Sequence, residues 1–174
     1  SSTVAFTTPS GNLANVTVRD TTDFDLKALT LSGNLVVASG GSITQSGNLT
    51  IGGTSSLTTS TTDKTITLSV PTLTNAFTGA FTLSSTGENA HVTIDNGTTA
   101  IVITSASVGG DLTLTSGAAA GITDSGSTDS GIVTVGGNLV ATTNANSGVI
   151  NMVTLAVDGS ISLTTNGTGN ATIV

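Results

Sequence analysis

The 174-residue chain carries 10 acidic side chains against 3 basic ones, a formal net charge of −7, so a nucleic-acid backbone or an anionic membrane surface would be repelled rather than neutralised. It has no Cys, Trp or Tyr and only 4 Phe, which excludes a disulfide frame, a thiolate metal site and a cysteine nucleophile and leaves a thin aliphatic core. Ser and Thr make up about a third of the residues, far above ordinary usage, and with charged residues at 7% these hydroxyls are expected to meet the water in place of Lys and Glu.

Val16-Thr17-Val18 is the first of a series of apolar-Thr-apolar triplets. In an extended strand such a triplet sends two apolar groups to one face and the threonine to the other, which predicts half-buried strands. Leu29-Thr30-Leu31 and Leu49-Thr50-Ile51 follow, with a Gly-Asn-Leu phrase at Gly33 to Leu35 and again at Gly47 to Leu49. Ile66-Thr67-Leu68, Phe81-Thr82-Leu83, Val92-Thr93-Ile94, Leu112-Thr113-Leu114, Val133-Thr134-Val135 and Val153-Thr154-Leu155 continue the series. Between the triplets stand Gly, Asn, Asp and Ser, which supply tight turns. Pro9 reads as a turn residue and Pro71 as the opening of a strand after Val70. Apolar spacing of two, without helical periodicity, makes the chain all-β, and the density of Val, Ile and Leu excludes disorder. Apolar runs such as Ile101-Val102-Ile103 are far shorter than the ~20 residues that span a bilayer, so no membrane insertion is expected.

A longer repeat is superimposed. Phe6 to Val18 is echoed by Phe81 to Ile94, the stretch from Phe24 to Leu35 by Ile101 to Leu112, Ile43 to Gly47 by Ile122 to Gly126, Gly52 to Thr59 by Gly136 to Thr143, and Gly79 to Leu83 by Gly159 to Leu163. The chain is thus read as one solenoid segment over residues 1–174, with long repeats at approximately 6–80 and 81–160 and the start of a third at 161–174. Nested repetition, with few turns of the Asn-Gly or Asp-Gly hairpin type beyond Asn96-Gly97, Asp158-Gly159 and Asn166-Gly167, favours a parallel β-solenoid over a sandwich. Coils of ~20 residues rising ~4.8 Å predict roughly eight or nine coils and a rod about 40 Å long.

The phrases SGNLVVASGGSITQSGNLTIGGTSSLTT, NAFTGAFTLSSTGENAHVTIDN and VGGDLTLTSG resemble those of large repetitive bacterial exoproteins of the filamentous-haemagglutinin and autotransporter-adhesin type. The resemblance runs over nearly the whole length. It implies a right-handed parallel β-helix, secreted or held on the cell surface as an adhesin, stalk or matrix filament, with no catalytic residues to carry over. The chain opens on Ser1-Ser2-Thr3-Val4 without a basic leader, so any targeting segment is expected to lie outside it.

Asp20, Asp23 and Asp25, with Arg19 and Lys27, form the one charge cluster. Its plain reading is a solvated, salt-bridged edge; its functional readings are a calcium site or, with Asp23 and Asp25 ~6.5 to 7 Å apart on one strand face, a glycoside-hydrolysing pair. Sugar-stacking aromatics are missing, and no other cofactor is expected. His91 reads as a turn residue, and the Gly-Gly pairs at Gly40, Gly52, Gly109 and Gly136 as turns, since no Lys follows them as in a phosphate loop. Asn15, Asn48, Asn96, Asn166 and Asn170 begin N-x-Ser/Thr sequences at about the frequency so Thr-rich a composition gives.

The leading expectation is a non-enzymatic structural segment whose partner is itself, as an end-to-end homopolymer or as part of a longer repeat array, with a cell-surface or polysaccharide ligand as a further partner. The apolar residues Val4 and Phe6 at the start, and Ala171, Thr172, Ile173 and Val174 at the end, are the expected polymer interface, since an uncapped solenoid end exposes core and unpaired backbone. Two alternatives are an ice-binding or carbohydrate-binding solenoid module and, further off, a polysaccharide-degrading β-helix. The ice reading rests on Thr65-Ile66-Thr67 and Thr113-Leu114-Thr115; at other triplets the second threonine is replaced by Ser32, Gly52, Ser84, Asp95, Gly136 or Ala156.

Overall fold

A computed structural model describes residues 2–4, 6, 11, 13–124 and 132–174. Every regular element among them is a strand, and every strand pairing is parallel. Among the described residues no helix is long and apolar enough to cross a membrane. A lead-in strand β1 (Ser2–Val4) is followed by coils of three short arms. The first three coils are β2 (Val16–Asp20), β3 (Phe24–Leu26) and β4 (Leu29–Leu31); β5 (Leu35–Ser39), β6 (Ile43–Gln45) and β7 (Leu49–Ile51); and β8 (Ser55–Thr59), β9 (Ile66–Leu68) and β10 (Asn75–Phe77). β11 (Phe81–Ser85) and β12 (Val92–Asp95) lead into β13 (Ile101–Val108), which turns a corner and serves two coils, and β14 (Leu112–Ser116) and β15 (Ile122–Asp124) complete the fifth. The last two are β16 (Ile132–Val135), β17 (Leu139–Asn146) and β18 (Ile150–Met152), then β19 (Leu155–Val157), β20 (Ile161–Asn166) and β21 (Ala171–Ile173).

These arms stack into an eight-stranded sheet β1-β3-β6-β9-β12-β14-β17-β20, a three-stranded sheet β10-β7-β4, and a ten-stranded sheet that branches at β13. The product is a parallel β-solenoid of about seven turns. That is fewer than the eight or nine expected, because coil length is not constant. Equivalent corners are 19 residues apart at Asn15 and Asn34 and 20 at Asn34 and Thr54, but 26 at Asn48 and Thr74 and 27 at Asp111 and Asn138. Strands keep register while corners take up the extra residues.

Inward positions form columns of aliphatic side chains. Leu29 lies against Leu49, Val37 against Leu57, and Val92 against both Ile66 and Leu112. Phe24, Phe77 and Phe81 are fully buried, and the rings of Phe77 and Phe81 lie 4.9 Å apart, tilted by 47°. The triplets fall on strands as read, with one exception: Val153 and Thr154 form the corner between β18 and β19. Pro71 likewise heads a turn, closed by the Leu73 amide donating to the Val70 carbonyl at 2.9 Å, and the next strand waits until Asn75. Pro9 lies outside the described residues.

The long-repeat matches land on different sheets. Phe24–Leu26 is in the eight-stranded sheet and Ile101–Val108 in the ten-stranded one; Ile43–Gln45 and Ile122–Asp124 divide the same way, as do Leu139–Asn146 and Ser55–Thr59. A step of about 80 residues is therefore not a whole number of coils, and the matched phrases share strand and corner chemistry rather than a position in the coil.

Candidate functional site

The corners are the first candidate. Before many strands stands a residue whose side-chain oxygen accepts the backbone N–H of its equivalent one coil on: Asn15 Oδ1 from Asn34 (2.7 Å), Asn34 from Thr54 (2.9 Å), Asp111 from Asn138 (2.7 Å) and Asn138 from Ser160 (2.9 Å). This is the role of Asn in the Gly-Asn-Leu phrase, with Leu turned into the core. The glycine has a reason too: a Cβ on Gly33 would run into Ala14 and Asn15, and one on Gly41 into the backbone of Asp23. The Gly-Gly pairs are turns packed against the coil beneath.

Asp23 belongs to this ladder, its Oδ1 accepting the Ser42 amide at 2.8 Å. Asp20 folds back on its own turn, accepting the Thr22 amide at 2.8 Å and hydroxyl at 2.9 Å. Asp25 is held by Lys27 Nζ at 2.9 Å, by the Ser46 hydroxyl at 2.5 Å and by the Thr44 hydroxyl at 3.3 Å. Partial burial pushes its carboxyl up, but these bonds and the Lys27 charge outweigh it and hold the group below the ordinary aspartate value. Each carboxylate thus has its own local partners, and among the described residues no three of His, Cys, Asp and Glu gather as metal ligands. His91 is a corner residue: its Nδ1 accepts the Asp111 amide at 2.9 Å, so the neutral ring carries its proton on Nε2.

Three features escaped the sequence reading. First, hydroxyls do not all face water. Ser39, Thr59, Ser85 and Ser116 are buried as the last residues of their strands, and Thr143 is buried within β17. Thr59 donates to the Lys64 carbonyl (3.2 Å), Ser85 to Ala90 (2.8 Å) and Thr143 to Gly148 (3.1 Å), each five residues on, stapling the corner that follows. Second, amides are buried. Gln45 and Asn75 exchange hydrogen bonds of 3.1 and 2.8 Å, and Asn96, with no exposure at all, accepts the Phe77 amide (2.8 Å) and donates to the carbonyls of Phe77 (2.9 Å) and Ala100 (2.7 Å). Asn96 gives Phe77 the pairing a neighbouring strand would give, and as a glycan acceptor it is closed. Third, Asp124, 2% exposed in the column of Ile103, accepts the Val153 and Thr154 amides through Oδ2, both at 2.8 Å, and so forms the corner where a strand was expected. Its Oδ1 has no partner among the described residues. A period-two pattern marks such positions only as inward; the signal for the staples is a Ser or Thr closing a strand on its apolar phase.

The ends are the second candidate. Val4 pairs with Leu26 and is 40% exposed, and Phe6 is half-buried against the core. At the opposite end β21 pairs on one side only, with β18, leaving Ile173 40% and Val174 80% exposed. Leu155, Val157, Ile161, Ile173 and Val174 line an open apolar concavity of about 310 Å³. Inward columns continue into it: Leu155 lies on Val133, Ile161 on Leu139 and Ile173 on Met152, and all three beneath are buried.

Fold and site together define a repeat β-solenoid. Residues 13–84 match a family model described as repeats of unknown function (DUF5649). The matched span opens at Leu13, which bridges to Leu31, and closes within β11, so it takes in the first three coils. No curated protein and no solved structure matches the chain.

Proposed function

We propose that this chain is a structural segment of an extracellular or cell-surface stalk, adhesin or filament, and that a further coil, from more of the same polypeptide or from a second copy, continues its last one. The observation that carries the reading is the open end. Leu155, Val157, Ile161 and Ile173 occupy inward columns that are buried in the coil beneath, yet they line an apolar surface. A coil laid on β19, β20 and β21 in the same register would bury that surface and pair the free strand edges, as each coil does for the one before. The resemblance to repetitive exoproteins supports the surface location, and the reading is non-enzymatic.

Electron microscopy and light scattering of the purified chain test it. Rods or fibres with a ~4.8 Å axial repeat are expected, shortened to single units by Ile161→Lys or Ile173→Lys at the open end. A wild-type chain that stays monomeric at high concentration, indistinguishable from these variants, removes assembly between copies. A coil supplied by the polypeptide itself is tested by lengthening the chain, which should raise its thermal stability.

A further inference from the structure

The expected Thr-x-Thr rows are broken when the triplets are read along the chain, but sorting them by face changes the picture. Ser32 and Gly52 follow strands of the three-stranded sheet, and Ser84, Gly136 and Ala156 lie on or beside strands of the ten-stranded one. On the eight-stranded sheet Thr44, Thr67, Thr93 and Thr113 stand in one unbroken column, each the register partner of the next. A second column, two residues along the strands, runs Thr115, Thr142, Thr164, also in register. Strand geometry sets the net at ~4.8 Å between coils and about 6.7 Å between columns.

The hydroxyls of this net are unspent. Among the described residues Thr44 bonds Asp25 at 3.3 Å, whereas the side chains of Thr67, Thr93, Thr113, Thr115, Thr142 and Thr164 make no hydrogen bond. The buried hydroxyls of the same sheet, Ser116 and Thr143, are all engaged. The first column continues through Val140, which keeps the methyl shape, and Ser162, which keeps the hydroxyl. Asp25 and Asp95 bound the net, one at the head of each column, and no Lys or Arg stands in either. Neutral hydroxyls offer no net attraction to an ionic ligand, and the face lacks the aromatic platform on which a sugar ring stacks, since Phe24, Phe77 and Phe81 are inside.

We infer that this face binds ice, holding a layer of water in lattice order. Each threonine offers one donor and two acceptor sites beside a methyl group, repeated on a rigid net set by the backbone. Ordered water is the ligand whose chemistry matches a regularly spaced set of free hydroxyls. The inference does not depend on what covers the solenoid ends.

The test is partition into slowly grown ice, with ice shaping and recrystallisation followed in parallel. The wild-type chain should enter the ice and lose that property when Thr93→Lys and Thr113→Lys are combined, while Thr50→Lys and Thr134→Lys on the other two faces leave it intact. Circular dichroism confirms that the outward substitutions keep the fold. Exclusion of the wild-type chain from ice overturns the inference, as does equal loss from variants on all three faces, or retention on crystalline polysaccharide without entry into ice.

Discussion

Replacing Asn96 with alanine would strand the amide and carbonyl of Phe77 and the carbonyl of Ala100 inside the molecule. Each buried orphan costs about 1–3 kcal/mol, so Asn96→Ala should lose ~3 kcal/mol or more in urea unfolding, well beyond an exposed Asn15→Ala. Asp25 makes a different prediction. Against partial burial, its bonds to Ser46, Lys27 and Thr44 hold its native carboxyl below the ordinary aspartate value, so its stabilising contribution is full above the unfolded-state value, near 3.9, and is lost as pH falls through the lower native one. The deficit of Asp25→Asn against wild type should therefore be constant near neutrality and shrink below about pH 4. Equal deficits at pH 7 and pH 2 would mean that Lys27 and Ser46 bind both protonation states alike.

At the level of strands and corners, the triplets disclosed eight of the 21 strands, because period two reports which side chain faces in. They did not disclose which of three faces an arm joins. That depends on coil length, and coil length is set at corners, where Gly, Asn, Ser and Asp recur whether the corner spans a few residues or many. The same ambiguity sent the long-repeat matches to different sheets, and hid the Thr44 to Thr113 column among triplets from other faces. Asp124 and Val153-Thr154 show the limit from the other side: an inward aspartate reads as an error of pattern until the two amides it accepts are seen. The corner glycines offer the check. Gly41→Ala would push a Cβ into the Asp23 carboxylate and, behind it, into the Asp23 backbone, which cannot swing away. It should cost ~2 kcal/mol or more, measured by thermal or urea unfolding, whereas Ala at the exposed Thr30 should be nearly neutral.

Over the whole molecule, contacts run from each coil to the next, so stability is a sum along one dimension. Leu112 is fully buried in a central coil, between Val92 and Leu139. Leu112→Asp should place an unpaired charge there and abolish cooperative unfolding, a loss of about 3–5 kcal/mol by analogy with other buried unpaired charges. In hydrogen exchange on the wild type, amides of β19 to β21 should exchange before those of β5 to β14, because the last coil is covered on one side alone.

The unequal coils have a mechanical consequence. Backbone hydrogen bonds between coils lie along the solenoid axis, so tension on the chain ends strips one coil at a time and leaves the rest standing. Each rupture releases the residues of one coil, 19 between the paired Val16 and Leu35 and 28 between the paired Ile122 and Ile150, or roughly 65 to 95 Å of slack. Under an optical trap the molecule would pay out as a ratchet of uneven steps, and the order of short and long steps would tell from which end it was being unwound.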